Sequence, residues 1–373
     1  MRVLHFFKTY QPNSFGGVER TICAIAKGAL EHNIHSDVLS LSRNPVADTS
    51  EFNGHNAYKA KLDFEFASTG FSLSAFSRFK ELSARADIIH YHFPWPFMDV
   101  VHLTHRPNKP TVVTYHSDII KQKSLLKLYR PLMHQFLSSV DNIVATSPNY
   151  LQTSEVLKKY AAKVEVIPIG LDPADYPRAS SELKLRWKER FPKPFFLFVG
   201  VLRYYKGLHT LIEASTAVEA DILIAGNGPM EKELKAQAAL TGNSNVHFLG
   251  QISDLDKAAL LEMCVAFVFP SHLRSEAYGL SLVEAAMFGK PMISCEIGTG
   301  TSYVNKHDET GIVVSPENPE ALRNAMFRLQ RSPDNTKLFG INAALRFKST
   351  LTADRMANLY CELYQRLATS YKS

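Results

Sequence analysis

Short apolar runs separated by amphipathic stretches set the pattern of this chain. Residues 3–7 are strand-like, a helical periodicity follows over 18–32, and 37–41 are apolar again. Residues 43–72 are polar and irregular, and read as a hairpin or loops. A helix over 73–84 leads to a strand at 87–91, and further strands are predicted at 111–115, 142–145 and 164–168. Residues 170–181, GLDPADYPRASS, are rich in proline, glycine and small polar side chains and read as a linker. A second series follows, with strands at 195–199, 221–225, 246–249, 265–269 and 291–294. Its helices begin at Gly207, Pro229, Asp254 and just after Gly279. Strands alternating with helices imply βαβ units and parallel sheets. The expected architecture is therefore α/β: two doubly wound domains, 1–170 and 171–351, facing across an interdomain cleft. The terminal helical stretch, 352–373, is expected to pack back on the first domain. Interdomain clefts are common ligand sites.

Composition narrows the class. The 373 residues are 45% hydrophobic and 21% charged, as in ordinary globular proteins. Cys23, Cys264, Cys295 and Cys361 are scattered without metal-ligand spacing, which favours a reducing compartment. The opening MRVLHFFKTYQP reads as a first strand and not as a signal peptide. No run approaches the ~20 apolar residues of a membrane span. Residues 1–170 carry 19 Lys and Arg against 14 Asp and Glu, so the basic excess lies mostly in the first half. That excess is either without function or a surface facing anionic lipid; nothing in it points to nucleic acid. Lys123, Lys127 and Arg130 share one helical face, and with Lys121 they surround Leu125, Leu126 and Leu128. This is a candidate for interfacial membrane contact, or a solvated helix face.

The chemistry concentrates in Ser275–Glu284. A strand precedes it, a loop carries Glu276, and a helix begins at Leu280 with Glu284 in its early turns. In an open α/β sheet, ligands sit just beyond the carboxyl ends of strands. The amides of Leu280 and Ser281 would be helix-start donors suited to an anion. Flanking carboxylates accept hydrogen bonds from sugar hydroxyls. A sugar nucleotide has both features. Arg203 and Lys206, in GVLRYYKG, follow the strand at 195–199 and fit a phosphate. His116 ends the strand TVVTY, with Asp118 two residues on. His90 and His92 share one strand face, with no third metal ligand evident. Gly16-Gly17 between the first strand and helix is a flexible turn or a close approach to ligand, with Glu19 in the first helical turn. Gly226, in GNGP, is ordinary turn chemistry or room for a nucleotide base. Asp254-Leu255-Asp256 matches a bare Asp-x-Asp metal pattern but equally a helix N-terminus.

Taken together, the Glu276-to-Glu284 spacing, GVLRYYKG, GNGP, VHFLG and the early GGVE resemble the retaining GT-B glycosyltransferases of family 4. The stretches YHFPWPFMD, TYHSDIIKQK, FVGVLRYYKGLH and PSHLRSEAYG resemble, more narrowly, bacterial O-polysaccharide mannosyltransferases that use GDP-mannose. The resemblance implies two Rossmann-like domains, the first binding acceptor and the second the nucleotide sugar. It implies Arg203 and Lys206 on the donor diphosphate, Glu276 on the donor sugar and Glu284 on the ribose. It further implies His116 facing the donor sugar, Gly17 near the phosphates, and the Gly279–Ser281 amides cradling the donor, with Gly16, Gly226 and Tyr278 lining it. No metal or other cofactor is implied. The expected partners are the nucleotide sugar and a polyprenyl-diphosphate-linked glycan, at the cytoplasmic face of an anionic membrane. Tyr278 stands where phenylalanine is frequent, and Val201 departs from the usual G-R-L-type stretch. A sugar-nucleotide epimerase of the same fold, or a sugar-nucleotide-binding scaffold, are the competing readings.

Overall fold

The computed structural model describes the chain apart from residues 46–48, 68, 120–122, 243 and 373. It divides into two compact units, Met1–Gly170 with Ala353–Ser373, and Leu171–Thr352. The strands of the first are β1 (Arg2–Phe6), β2 (His35–Ser42), β3 (Thr49–Phe52), β4 (His55–Lys61), β5 (Phe64–Phe66), β6 (Thr69–Phe71), β7 (Ile88–Phe93), β8 (Thr111–Tyr115), β9 (Asn142–Ala145) and β10 (Val164–Val166). Eight of them form one sheet in the order β10-β9-β8-β7-β1-β2-β4-β3. It is parallel apart from the β3 edge. Its central strands are buried on both faces, so β7 and β8 are covered from end to end.

Residues 43–72 hold more structure than a hairpin or loops. Asn53 and Gly54, both at positive φ, turn β3 back along β4. That is the conformation an Asn-Gly hairpin favours. β4 also joins the main sheet beside β2, pairing Asn56–Lys61 with Asp37–Ser42. Its polar residues hid it, yet the fold gives them partners. Lys59 is buried, and its ammonium donates to Ser40 Oγ and to the Tyr10 carbonyl, both at 2.9 Å. The terminal helix, Ala353–Lys372, belongs to this first unit and lies against the Gly17–Ala29 helix. The helices meet so closely that a Cβ on Gly28 would stand 2.4 Å from that of Ala357.

The second unit contains β11 (Phe195–Val199), β12 (Asp221–Ala225), β13 (Val246–Gly250), β14 (Ala266–Phe269), β15 (Met292–Cys295) and β16 (Gly311–Val314). All run parallel in the order β13-β12-β11-β14-β15-β16. β16 and the helices Pro319–Arg331 and Pro333–Thr350 lie beyond the last predicted strand. The segment read as a linker is not free chain. Leu171 donates its amide to the Leu351 carbonyl at 3.0 Å, and Tyr176 donates its hydroxyl to Glu284, both within the second unit. Strand order reverses between β11 and β14, and the crevice beyond their carboxyl ends is where this topology binds ligands.

Candidate active site

The two loops leaving that switch point carry the main charges. After β11, Arg203 is exposed and opens a short 3-10 turn, Tyr204–Lys206. Lys206 is buried, and its Nζ lies 2.5 Å from Glu276 Oε2 and 4.6 Å from the centre of the Phe269 ring. Glu276 belongs to the loop after β14, whose turn its own amide closes on the Leu273 carbonyl at 3.0 Å. The structure thus brings Lys206 and Glu276 into contact from positions 70 residues apart in sequence. An ion pair so poorly solvated holds its geometry only while both partners are present.

Gly279, at φ +87°, caps the Leu280–Met287 helix. Leu282 and Val283 donate to the Gly279 carbonyl, which puts the amides of Leu280 and Ser281 at the open helix start. The Ser281 hydroxyl donates to the Val199 carbonyl at 3.1 Å and ties this helix to the end of β11. Tyr278 is buried and packed so tightly that a Cβ on Gly300 would fall 2.5 Å from its ring. Glu284, also buried, accepts from Tyr176 OH at 2.9 Å and from Lys257 Nζ at 3.1 Å. The two glutamates therefore have separate partners, and neither Tyr176 nor Lys257 was expected here. Tyr176 sat in a presumed linker, and Lys257 beside the Asp-x-Asp match, so sequence gave no signal for either.

Asp254-Leu255-Asp256 is occupied with structural work. Ser253 Oγ accepts the Asp256 amide and donates to its carboxylate, which also takes the Trp187 indole N–H at 2.9 Å. Asp254 pairs with Lys257 at 3.1 Å. These contacts make a helix start, as Ser253-Asp254 allowed. Both ring nitrogens of His272, just after β14, are buried without a hydrogen-bond partner among the described residues, with Nε2 4.0 Å from Glu317 Oε1, a feature with no sequence signal.

Gly226 has a backbone reason to be glycine, whether or not a base sits beside it. Its φ is +126°, and a Cβ there would stand 2.0 Å from the Gly200 carbonyl oxygen. The ends of β11 and β12 meet at that point. Gly226→Ala is expected to cost about 3 kcal/mol through forced backbone shifts, read as a lower urea midpoint. An unchanged midpoint would mean that the two strand ends part freely.

In the first unit, Gly16 and Gly17 are exposed at the start of the Gly17–Ala29 helix. Glu19 is buried and accepts hydroxyl bonds from Thr9 at 2.8 Å and Ser14 at 2.6 Å, so it holds the preceding loop in place. His116 follows β8, and burial lowers its pKa to about 3. Its Nε2 lies 3.0 Å from His92 Nδ1. Asp118 accepts from Tyr115 OH and Ser154 Oγ, at 2.9 and 2.7 Å. Lys121 lies outside the described residues, and Lys123 begins the Lys123–Ser139 helix. Lys127 and Arg130 are exposed on that helix with Leu125 and Leu128, the last 82% accessible. No described helix is long and apolar enough to cross a membrane.

Comparison with known proteins gives the family. Residues 15–175 match the family described as Glycosyltransferase Family 4, and residues 181–346 match Glycosyl transferases group 1. D-rhamnosyltransferase WbpZ of Pseudomonas aeruginosa is 54% identical over 95% of this chain and 93% of its own. O-antigen chain mannosyltransferase C of Escherichia coli is 47% identical over 99% of this chain and 100% of its own. Among solved structures, sucrose-phosphate synthase from Thermosynechococcus elongatus shares the fold, with a TM-score of 0.81 at 21% identity over 99% of each chain. With relatives this similar along nearly its whole length, the chain belongs to the family 4 glycosyltransferases, enzymes built from two Rossmann-like domains in the GT-B fold.

Proposed function

We propose that this glycosyltransferase moves an α-mannosyl residue from GDP-mannose to a polyprenyl-diphosphate-linked glycan during O-antigen assembly, with retention of configuration. The observation that carries the nucleotide-sugar reading is the Lys206–Glu276 pair beside Arg203 at the switch point of the second sheet. Near-complete coverage of the Escherichia coli O-antigen chain mannosyltransferase C supports the sugar and the pathway. Breaking a glycosyl–phosphate bond builds negative charge on the leaving diphosphate and oxocarbenium-like charge on the sugar. Arg203, Lys206 and the amides of Leu280 and Ser281 stabilise the first more strongly in the transition state than before it. With two fixed cations on the diphosphate, no metal is needed. Glu276 accepts from donor-sugar hydroxyls, and Glu284 from the ribose. His116 meets the sugar near its anomeric carbon. The acceptor hydroxyl attacks from the face the diphosphate leaves, without a covalent glycosyl-enzyme; a trapped adduct on Glu276 would refute that route. The acceptor binds the first domain, at an anionic membrane surface that meets Lys127 and Arg130, with Leu125 and Leu128 beside them.

The 54% identity to a D-rhamnosyltransferase favours a second donor, GDP-D-rhamnose, whose sugar is mannose without its 6-hydroxyl. A thermal-shift panel separates the classes: GDP-mannose and GDP-D-rhamnose are expected to raise the unfolding midpoint, because a ligand bound only by the native state stabilises it. Stabilisation by UDP-glucose or UDP-N-acetylglucosamine alone would sink the GDP reading. Transfer assays then rank the two GDP sugars. A site that hydrogen-bonds the 6-hydroxyl rejects the deoxy sugar by ~10⁴-fold or more in kcat/KM. Turnover of the donor without any acceptor would favour an epimerase.

A further inference from the structure

Histidines from three neighbouring segments of the first sheet form one array, of which the transfer chemistry above uses only His116. His5 on β1 sits opposite His90 on β7, His92 follows on the same face, and His116 lies just past β8. His5, His90 and His92 are fully buried and His116 is nearly so. His5 Nδ1 stands 3.1 Å from His92 Nε2, and His92 Nδ1 stands 3.0 Å from His116 Nε2. Their rings stack, with centroids 5.4 Å apart for His5 and His92 and 5.3 Å for His92 and His116. His90 braces the array from the side. Its Nδ1 meets Tyr364 OH, and its Nε2 meets Thr114 Oγ1, itself bonded to Tyr360 OH, all at 2.7 Å. Tyr360 and Tyr364 come from the terminal helix. The far end of the chain, His5 Nε2, is buried with no hydrogen-bond partner among the described residues.

The arrangement restricts the protons. A neutral imidazole carries one N–H, so each ring in the chain donates at one nitrogen and accepts at the other. If His92 donates to His116 Nε2, then His5 donates to His92, and His116 must hold its proton on Nδ1. If His92 donates to His5, then His116 donates to His92, and its Nδ1 is bare. Only these two arrangements satisfy both links, and a buried link left unmade costs about 1–3 kcal/mol. Mixed states are thereby disfavoured; the second arrangement would bury an unpaired N–H at His5 Nε2 where the first leaves only a bare nitrogen, so the first prevails, and rotation of the His116 ring breaks its link.

We propose that His5 and His92 are positioning residues: the chain His5–His92–His116 locks His116 into a single neutral tautomer and ring orientation. Burial supports the neutral state, lowering the pKa of His5 to about 3 as well as that of His116. A neutral ring can face a sugar carrying oxocarbenium-like charge without the repulsion an imidazolium would bring. That catalytic consequence rests on the reading of His116 as the residue that meets the donor sugar. A cation held by His5, His90 and His92 fits less well. Both nitrogens of His90 and both of His92 already have partners, so a metal would have to break those bonds.

Long-range proton–nitrogen spectra of the full-length protein, labelled with ¹⁵N-histidine, test the lock directly. Wild-type His116 is expected to appear as one neutral tautomer at neutral pH; an average of the two would overturn the proposal without any variant. In His92→Leu the His116 signal is expected to move toward the tautomer average. Loss of a partner that orients an active-site imidazole lowers kcat about tenfold or more, with KM within about twofold. His92→Gln, whose amide can donate and accept, is expected to restore part of both. A folded His92→Leu with an unchanged His116 signal sinks the lock. Should that variant fail to fold, His5→Gln reads the same signal from the far end of the chain, with the same overturning result. Full activity in His116→Ala would instead remove the catalytic consequence and the reading of His116, and leave the tautomer result standing.

Discussion

Arg203→Ala is expected to lower transfer by ~10²–10³-fold in kcat, the usual cost of removing one preorganised donor aimed at developing negative charge. Arg203 is exposed, so its unfolding free energy should stay within about 0.5 kcal/mol of wild type. Lys206→Ala should lose a similar amount of activity but behave differently in urea. Lys206 is buried against Glu276 at 2.5 Å, so its removal leaves a poorly solvated carboxylate without its cation. Breaking such a pair costs about 3 kcal/mol or more. The double variant Lys206→Ala/Glu276→Gln removes that stranded charge and should recover most of the stability while recovering no transfer. Initial rates with a GDP-sugar donor and urea midpoints, measured on all three variants, separate the two roles. Full activity in both single variants would end the assignment of these residues to the leaving diphosphate.

The second large effect is loss of stability in mild acid. Burial lowers the pKa of His5 and His116 to about 3 and that of His102 to about 4, and holds His90 and His92 well below the ordinary range. In the unfolded chain each titrates near 6.5, so below that pH the unfolded state binds protons that the native state refuses. Stability is then fully present above about pH 6.5, and each such histidine takes away about 1.4 kcal/mol per pH unit as acid is added. The loss stops only near the folded values. Asp99 works in the opposite sense: burial raises its pKa, so its contribution favours the fold in acid and fades as pH rises. Five buried histidines outweigh it. Urea unfolding at about pH 7.5, 6 and 5 should therefore show a steep fall, made shallower by His92→Leu. A flat profile would mean that the array is charged in the folded protein.

Much of this molecule is legible in its sequence. Apolar runs of four to six residues, each followed by turn chemistry and an amphipathic stretch, marked most strands of both sheets. β8, β9, β11 and β12 lie where the apolar pattern put them. Such strands are buried on both faces, so their sequence is nearly continuous hydrocarbon and easy to read. β4 escaped because it alternates with buried polar residues. Lys59 looks like a surface residue until Ser40 and the Tyr10 carbonyl are brought to it. β16 and the two helices after it carry the same kind of pattern, without a chemical motif to mark them.

Local sequence by itself determined the strand-loop-helix units, their parallel pairing into two domains, and the loops that hold Arg203, Lys206, Glu276 and Glu284. Those are matters of short-range periodicity, turn residues and spacing. Which side chains meet was decided by the tertiary structure alone. It joined Lys206 to Glu276, set Tyr176 and Lys257 on Glu284, and pressed Gly226 against the Gly200 carbonyl. It also threaded His5, His92 and His116, spread over more than a hundred residues, into one hydrogen-bonded line. A side chain's protonation and partners depend on what the fold packs around it, and neighbours that distant in sequence leave no periodic trace along the chain.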